Sequence, residues 1–146
     1  MIGFVVVTHG NLGKQLLETV RLIFPRCGKN VASVTIDPDE NTASATEKIG
    51  QTIQAVDSGS GVILLTDMFG GTPSNIGITF LENGKVEVVS GVNLPMLLRA
   101  AMLDAVGGLS EAAEEIRKSG CESITVASNL LAPQRKGPTE KKGEKE

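Results

Sequence analysis

Four short apolar runs, Gly3–Val7, Val31–Ile36, Val62–Leu65 and Val86–Val89, are separated by segments of helical and turn character. That alternation constrains the fold more than any other feature of the chain. Gly3-Phe4-Val5-Val6-Val7 is almost continuously apolar, as expected of a strand covered on both faces. The segment after it places Leu12, Leu16, Leu17, Val20, Ile23 and Phe24 at helical spacing, with Pro25 and Gly28 as its stop. Asn41 or Thr42 is expected to cap a second helix, with Ala45, Ile49, Ile53 and Val56 on one face. After the third run, Asp67-Met68-Phe69-Gly70-Gly71-Thr72-Pro73-Ser74 reads as a loop entering a third helix, and Asn83-Gly84 as a turn.

Asn93-Leu94-Pro95 opens a helix expected to run through Val106, with Gly107-Gly108 as its stop. Ser110 is expected to cap another, ended by Gly120. Ser123–Ala127 has the alternation of a late, short strand. From Ala132 the chain is mostly Pro, Gly, Lys and Glu, the composition of a disordered tail. The expected organisation is one domain over 1–131 and a charged tail over 132–146.

Strand-helix alternation predicts an α/β fold: a doubly wound, mostly parallel sheet with helices on both faces. Right-handed crossovers bring the C-terminal strand ends to one edge, and a ligand site belongs there, where strand order reverses. The polar residues collect at that edge. His9 follows the first strand, Asp67 the third, and Ser90, Gly91 and Asn93 the fourth.

Composition removes several function classes. Of 146 residues, 14 are Lys or Arg against 17 Asp or Glu, for a net charge of −3. No basic surplus is available to neutralise a phosphate backbone, and Trp and Tyr are absent, so nucleic acid is not an expected partner. No apolar run approaches the roughly 18–20 residues of a membrane span. Met1–Val7 has no basic segment before it and reads as a strand, not a signal peptide. Cys27 and Cys121 lack metal or redox spacing, which fits two inert thiols in a cytoplasmic protein.

His9 is the sole histidine. Its neutral ring offers a nucleophilic nitrogen near neutral pH, and Gly10 leaves room beside it. In a sheet ordered 2-1-3-4, Asp67 ends the strand next to the first. A carboxylate there accepts a hydrogen bond from one ring nitrogen, frees the other to attack phosphorus, and stabilises the cation that develops. In Gly70-Gly71-Thr72-Pro73-Ser74, Pro73 suits the first helical position and Thr72 the N-cap, while the glycines permit close approach to a ligand. Amides at a helix start favour an anion. The candidate phosphate-binding set is Gly10, Phe69, Gly70, Gly71, Thr72 and Ser74; the candidate catalytic pair is His9 and Asp67. A P-loop fails because Thr8 and Gln15 stand where glycine and Ser or Thr are required. One histidine does not make a common zinc site, so no metal or cofactor is expected.

Three blocks, Val5-Val6-Val7-Thr8-His9-Gly10, Leu64–Asn75 and Ser90-Gly91-Val92-Asn93-Leu94-Pro95-Met96-Leu97, resemble the enzyme IIA component of the mannose family. This family belongs to the bacterial phosphoenolpyruvate-dependent sugar phosphotransferase system. The resemblance spans residues 1 to about 125, with the blocks in the family's order and spacing. It implies a phosphotransferase with a phosphohistidine at His9, formed through Nε2, and Asp67 as hydrogen-bond partner. It also implies the histidine-containing phosphocarrier protein as donor, an enzyme IIB component as acceptor, and a homodimer that exchanges a late strand, here assigned to Ser123–Ala127. Such a protein serves a membrane-associated sugar-transport complex without inserting into the membrane itself. A fused IIB domain is not expected, so the acceptor is expected to be a separate protein or to be lacking. Two neighbouring readings share the His9 chemistry. One is a regulatory phosphoprotein that controls a partner. The other is the phosphoryl-donor subunit of a dihydroxyacetone kinase, from which Gly10 and Val92-Asn93-Leu94-Pro95 distinguish this chain.

Overall fold

The computed structural model describes residues 1–103 and 107–131. Four strands, β1 (Gly3–His9), β2 (Val31–Ile36), β3 (Val62–Thr66) and β4 (Val86–Ser90), form one all-parallel sheet ordered β2-β1-β3-β4. The helices are α1 (Leu12–Ile23), α2 (Thr42–Val56), α3 (Thr72–Ile78), α4 (Leu94–Ala101), α5 (Leu109–Glu122) and α6 (Ala127–Leu131). The expected strand order and parallel pairing are both present.

Alternate residues of β1 feed two cores. Phe4 and Val6 pack with Ile63, Leu65 and Val89 beneath α1, α4 and α5. Val5 and Val7 pack with Val62, Leu64, Val34 and Ile36 beneath α2 and α3. Helices therefore cover both faces, which explains why β1 and β3 read as unbroken apolar runs. Burying each such Val, Leu or Ile contributes about 1.5–3 kcal/mol against leaving it in water. Ala45, Ile49, Ile53 and Val56 form the buried stripe of α2, and the Asn41 carboxamide caps that helix by accepting from Ser44 N–H at 2.7 Å.

Several local expectations differ from the structure. The inward stripe of α1 is Gly13, Leu17 and Val20, whereas Leu12 and Ile23 are exposed. Gly13 sets this rotation: a Cβ there would lie 3.1 Å from Val6 and 3.2 Å from the Thr8 hydroxyl, so the helix rests its backbone on β1. Helix α3 is capped by Gly71, making Thr72 its first residue. Helix α4 ends at Ala101; Val106 lies outside the described residues, as does the 132–146 segment read as a tail. Gly108, not Ser110, precedes α5, and the Glu111 carboxylate accepts its N–H.

Gly120 does not stop α5. It lies inside the helix because Met96 occupies the place of a Cβ, 2.5 Å from its ideal position. The expected late strand at Ser123–Ala127 is absent from this chain: Ser123 is a turn, and Ala127 begins α6. Among the described residues that segment pairs with no strand, and Ile124 and Val126 stand 78% and 62% exposed.

Candidate functional site

The chain leaves β1 toward β2 on one side and returns through β3 on the other, so strand order reverses between β1 and β3. His9 is the last residue of β1, and Asp67 immediately follows β3. Register pairs Val7 with Thr66, which brings His9 and Asp67 side by side at the C-terminal edge. A parallel open sheet forms its ligand crevice at this point.

Asp67 holds His9 through one oxygen. Oδ2 lies 2.7 Å from His9 Nδ1 and also accepts the His9 backbone N–H at 2.9 Å. The other oxygen, Oδ1, accepts the Met68 N–H at 2.9 Å. An ionised carboxylate only accepts, so Nδ1 carries the hydrogen in this contact and Nε2 is left outside it. Partial burial is the largest influence on the Asp67 carboxyl and pushes its pKa up. The His9 backbone N–H, the His9 ring and its charge, and the Met68 N–H together outweigh it and hold the carboxyl below its ordinary value. The Asp67 side chain is only 11% exposed, while that of His9 is 52% exposed. The carboxylate is sheltered and the imidazole is open to solvent.

The expected glycine loop forms the other wall. An ideal Cβ on Gly71 would lie 2.9 Å from His9 Cε1 and 3.6 Å from Nε2, so this backbone lies directly against the imidazole. Gly70 has φ +85°, the left-handed region open to glycine, and the Asn75 side chain donates to its carbonyl at 3.4 Å. Gly10 turns the chain away from β1 at φ +51° with open space around its Cβ position. Phe69 is 78% exposed and Thr72 is also exposed, both on the loop beside His9. Ser74 is placed otherwise than expected: it is fully buried, with its hydroxyl 3.4 Å from that of Ser90. The α3 cap sets this, since Ser74 falls on the helix face that meets the sheet.

Two buried threonines escaped the sequence reading. Thr8 accepts the Gly13 N–H at 2.8 Å and thereby fixes the turn that follows His9. Thr66 shares a hydrogen bond with Ser90 at 2.8 Å. The available signal was positional: a threonine directly precedes each candidate residue, as Thr8-His9 and Thr66-Asp67. Among the described residues no cluster of His, Cys, Asp or Glu has the makings of a metal site, and no helix is long and apolar enough to cross a membrane.

The chain is similar to several known proteins. The protein-family model described as PTS system fructose IIA component matches residues 3–117. The PTS system fructose-specific EIIA component of Bacillus subtilis is 29% identical over 132 residues, covering 90% of this chain and 90% of that protein. The mannose-specific EIIAB component of Escherichia coli K12 is 33% identical over 102 residues, or 69% of this chain. The chain spans 31% of the length of that relative. Among solved structures, the PTS IIA protein associated with the fucose utilization operon of Streptococcus pneumoniae is similar at a TM-score of 0.77 and 27% identity, covering 90% of this chain and 96% of that one. The EIIA component of Streptococcus agalactiae shares the fold at a TM-score of 0.78 and 23% identity, covering 88% of this chain and 99% of that one.

Proposed function

Because the chain belongs to the mannose family of enzyme IIA components of the sugar phosphotransferase system, we propose that His9 is its phosphoryl-carrying residue, loaded by the histidine-containing phosphocarrier protein and discharged to an enzyme IIB component. Family membership supports the carrier role in general. The observation that carries the residue assignment is the 2.7 Å contact between His9 Nδ1 and Asp67 Oδ2.

The contact prepares the ring for one reaction. Nε2 attacks the phosphorus of the donor's phosphohistidine, and the new N–P bond forms as the donor's N–P bond breaks. The bonding pair leaves with the donor nitrogen. His9 becomes a phosphoimidazolium whose Nδ1–H stays bonded to the Asp67 carboxylate, so the positive charge develops beside a fixed negative one. Transfer to the acceptor is the same step in reverse, with the acceptor's nucleophilic side chain taking the phosphoryl group. Gly10, Phe69, Gly70, Gly71 and Thr72 surround the space beyond the ring and line the path of the phosphoryl oxygens in this reading. Ser74 supports the loop from within the core. The reaction belongs in the cytoplasm, where the donor and acceptor components meet.

The same reading includes a homodimer. Strand β4 lies at the end of the sheet among the described residues, and a cavity of about 460 Å³ runs beside it against α5. Ile124, Val126, Leu130 and Leu131 are exposed at the end of the described chain. Pairing the 123–127 segment of one subunit with β4 of the other satisfies open backbone groups and covers those side chains.

The direct test supplies phosphoenolpyruvate, enzyme I and the phosphocarrier protein. The chain is expected to gain one phosphoryl group at His9 and to lose it when a matching IIB component is added. Uptake at another residue overturns the assignment.

A further inference from the structure

The position of the Asp67 carboxylate depends on the end of β3, and that of Gly71 on the start of α3. One side chain outside the catalytic pair touches both supports. Ser90, the last residue of β4, lies opposite Thr66 in the sheet register. Its hydroxyl is 2.8 Å from the Thr66 hydroxyl and 3.4 Å from that of Ser74. Thr66 and Ser74 are both fully buried. Thr66 is bonded to Asp67 in sequence, and Ser74 lies in the first turn of the helix that Gly71 caps.

The backbone reinforces the link. The Thr66 carbonyl accepts from Gly91 N–H and Val92 N–H, each at 2.9 Å, so the turn leaving Ser90 is pinned to the same residue. Asp67 faces His9 Nδ1, and Gly71 faces Cε1. Ser90 thus ties together the two walls that hold the imidazole, without touching the ring.

Resting on the carrier function proposed for His9, we propose that Ser90 is a positioning residue for phosphoryl transfer. Its hydroxyl joins the end of β3 to the start of α3 and keeps Asp67 and Gly71 in register around His9. Small displacements of a reacting group reduce rates steeply, while the Ser90 hydroxyl contacts Thr66 and Ser74 and not the imidazole itself. The expected signature is a fall in the transfer rate at saturating donor with little change in the donor concentration at half-maximal rate.

The test compares Ser90→Thr with Ser90→Val, two side chains of nearly equal shape that both suit a strand and differ by the hydroxyl. Single-turnover transfer from the phosphorylated phosphocarrier protein is measured together with the ¹⁵N shifts of the His9 ring. Ser90→Thr is expected to transfer at the native rate and Ser90→Val about tenfold more slowly. Its ring shifts are expected to move away from the pattern of protonated Nδ1 and bare Nε2. If Ser90→Val unfolds, Ser90→Ala supplies the same comparison with a smaller side chain. Native rates and native ring shifts in the variants lacking the hydroxyl overturn the proposal and leave the His9 assignment standing. A native protein that takes up no phosphoryl group overturns that assignment instead, and the ring shifts alone then decide whether Ser90 sets the geometry.

Discussion

A single oxygen of Asp67 binds both the backbone and the ring of His9: Oδ2 is 2.9 Å from the His9 nitrogen and 2.7 Å from Nδ1. The two contacts fix where the residue is and which ring nitrogen faces the carboxylate. Replacing Asp67 with Asn keeps the size but removes the charge. It also turns one of the two oxygens into a donor, which favours the wrong tautomer when it faces Nδ1. Asp67→Asn is expected to fold and to transfer phosphoryl groups roughly tenfold or more slowly. Rapid-quench transfer assays provide the check, and a native rate would make Asp67 a purely structural residue.

Gly71 offers a second probe of the same ring. Its φ is −82°, so alanine is compatible with the backbone, yet the added Cβ would meet His9 Cε1 at 2.9 Å. Gly71→Ala is therefore expected to leave stability nearly unchanged while tilting the imidazole off Asp67. A loss of about tenfold in transfer rate is expected, with a melting temperature close to that of the native protein. Unchanged transfer would mean that the ring moves freely in its setting.

The depressed pKa of Asp67 predicts a pH dependence of stability. Its ordinary value is 3.8 and the folded value is lower, so the folded state favours the ionised form. The stability this contributes is fully present above the unfolded value and is lost as pH falls through the folded value. The difference in urea-unfolding free energy between the native protein and Asp67→Asn is expected to be larger at pH 7 than at the acid end. A difference that stays constant across that range would contradict the ionic grip.

Much of this was legible in the sequence because β1 and β3 are buried on both faces and leave unbroken apolar runs. Those runs fix which residues stand at the C-terminal edge, and His9 and Asp67 follow from that. What the sequence concealed depends on contacts between distant segments. Gly120 resembles a helix stop, but Met96 packs onto it from α4. Leu12 and Ile23 fit a helical stripe, but the contact of Gly13 with Thr8 rotates α1 so that both face outward. Ser74 reads as a ligand-facing hydroxyl until the Gly71 cap turns it toward Ser90. The 123–127 alternation is that of a strand, but among the described residues it pairs with no strand of the same chain.

That unpaired segment leads to a prediction about assembly. If it pairs with β4 of a second subunit, Val126→Pro removes a backbone donor from the new ladder and weakens the dimer. Light scattering over a dilution series is expected to show a dimer for the native protein and dissociation for Val126→Pro. A compact, fully active native monomer at low micromolar concentration would contradict the exchange.

The central claim concerns one residue, and the chain contains only one histidine. Intact mass spectrometry after incubation with phosphoenolpyruvate, enzyme I and the phosphocarrier protein tests it most directly. The native chain is expected to gain a single phosphoryl group that is labile in acid and stable in base, and His9→Ala is expected to gain none. A His9→Ala protein that still acquires that mass would contradict the account.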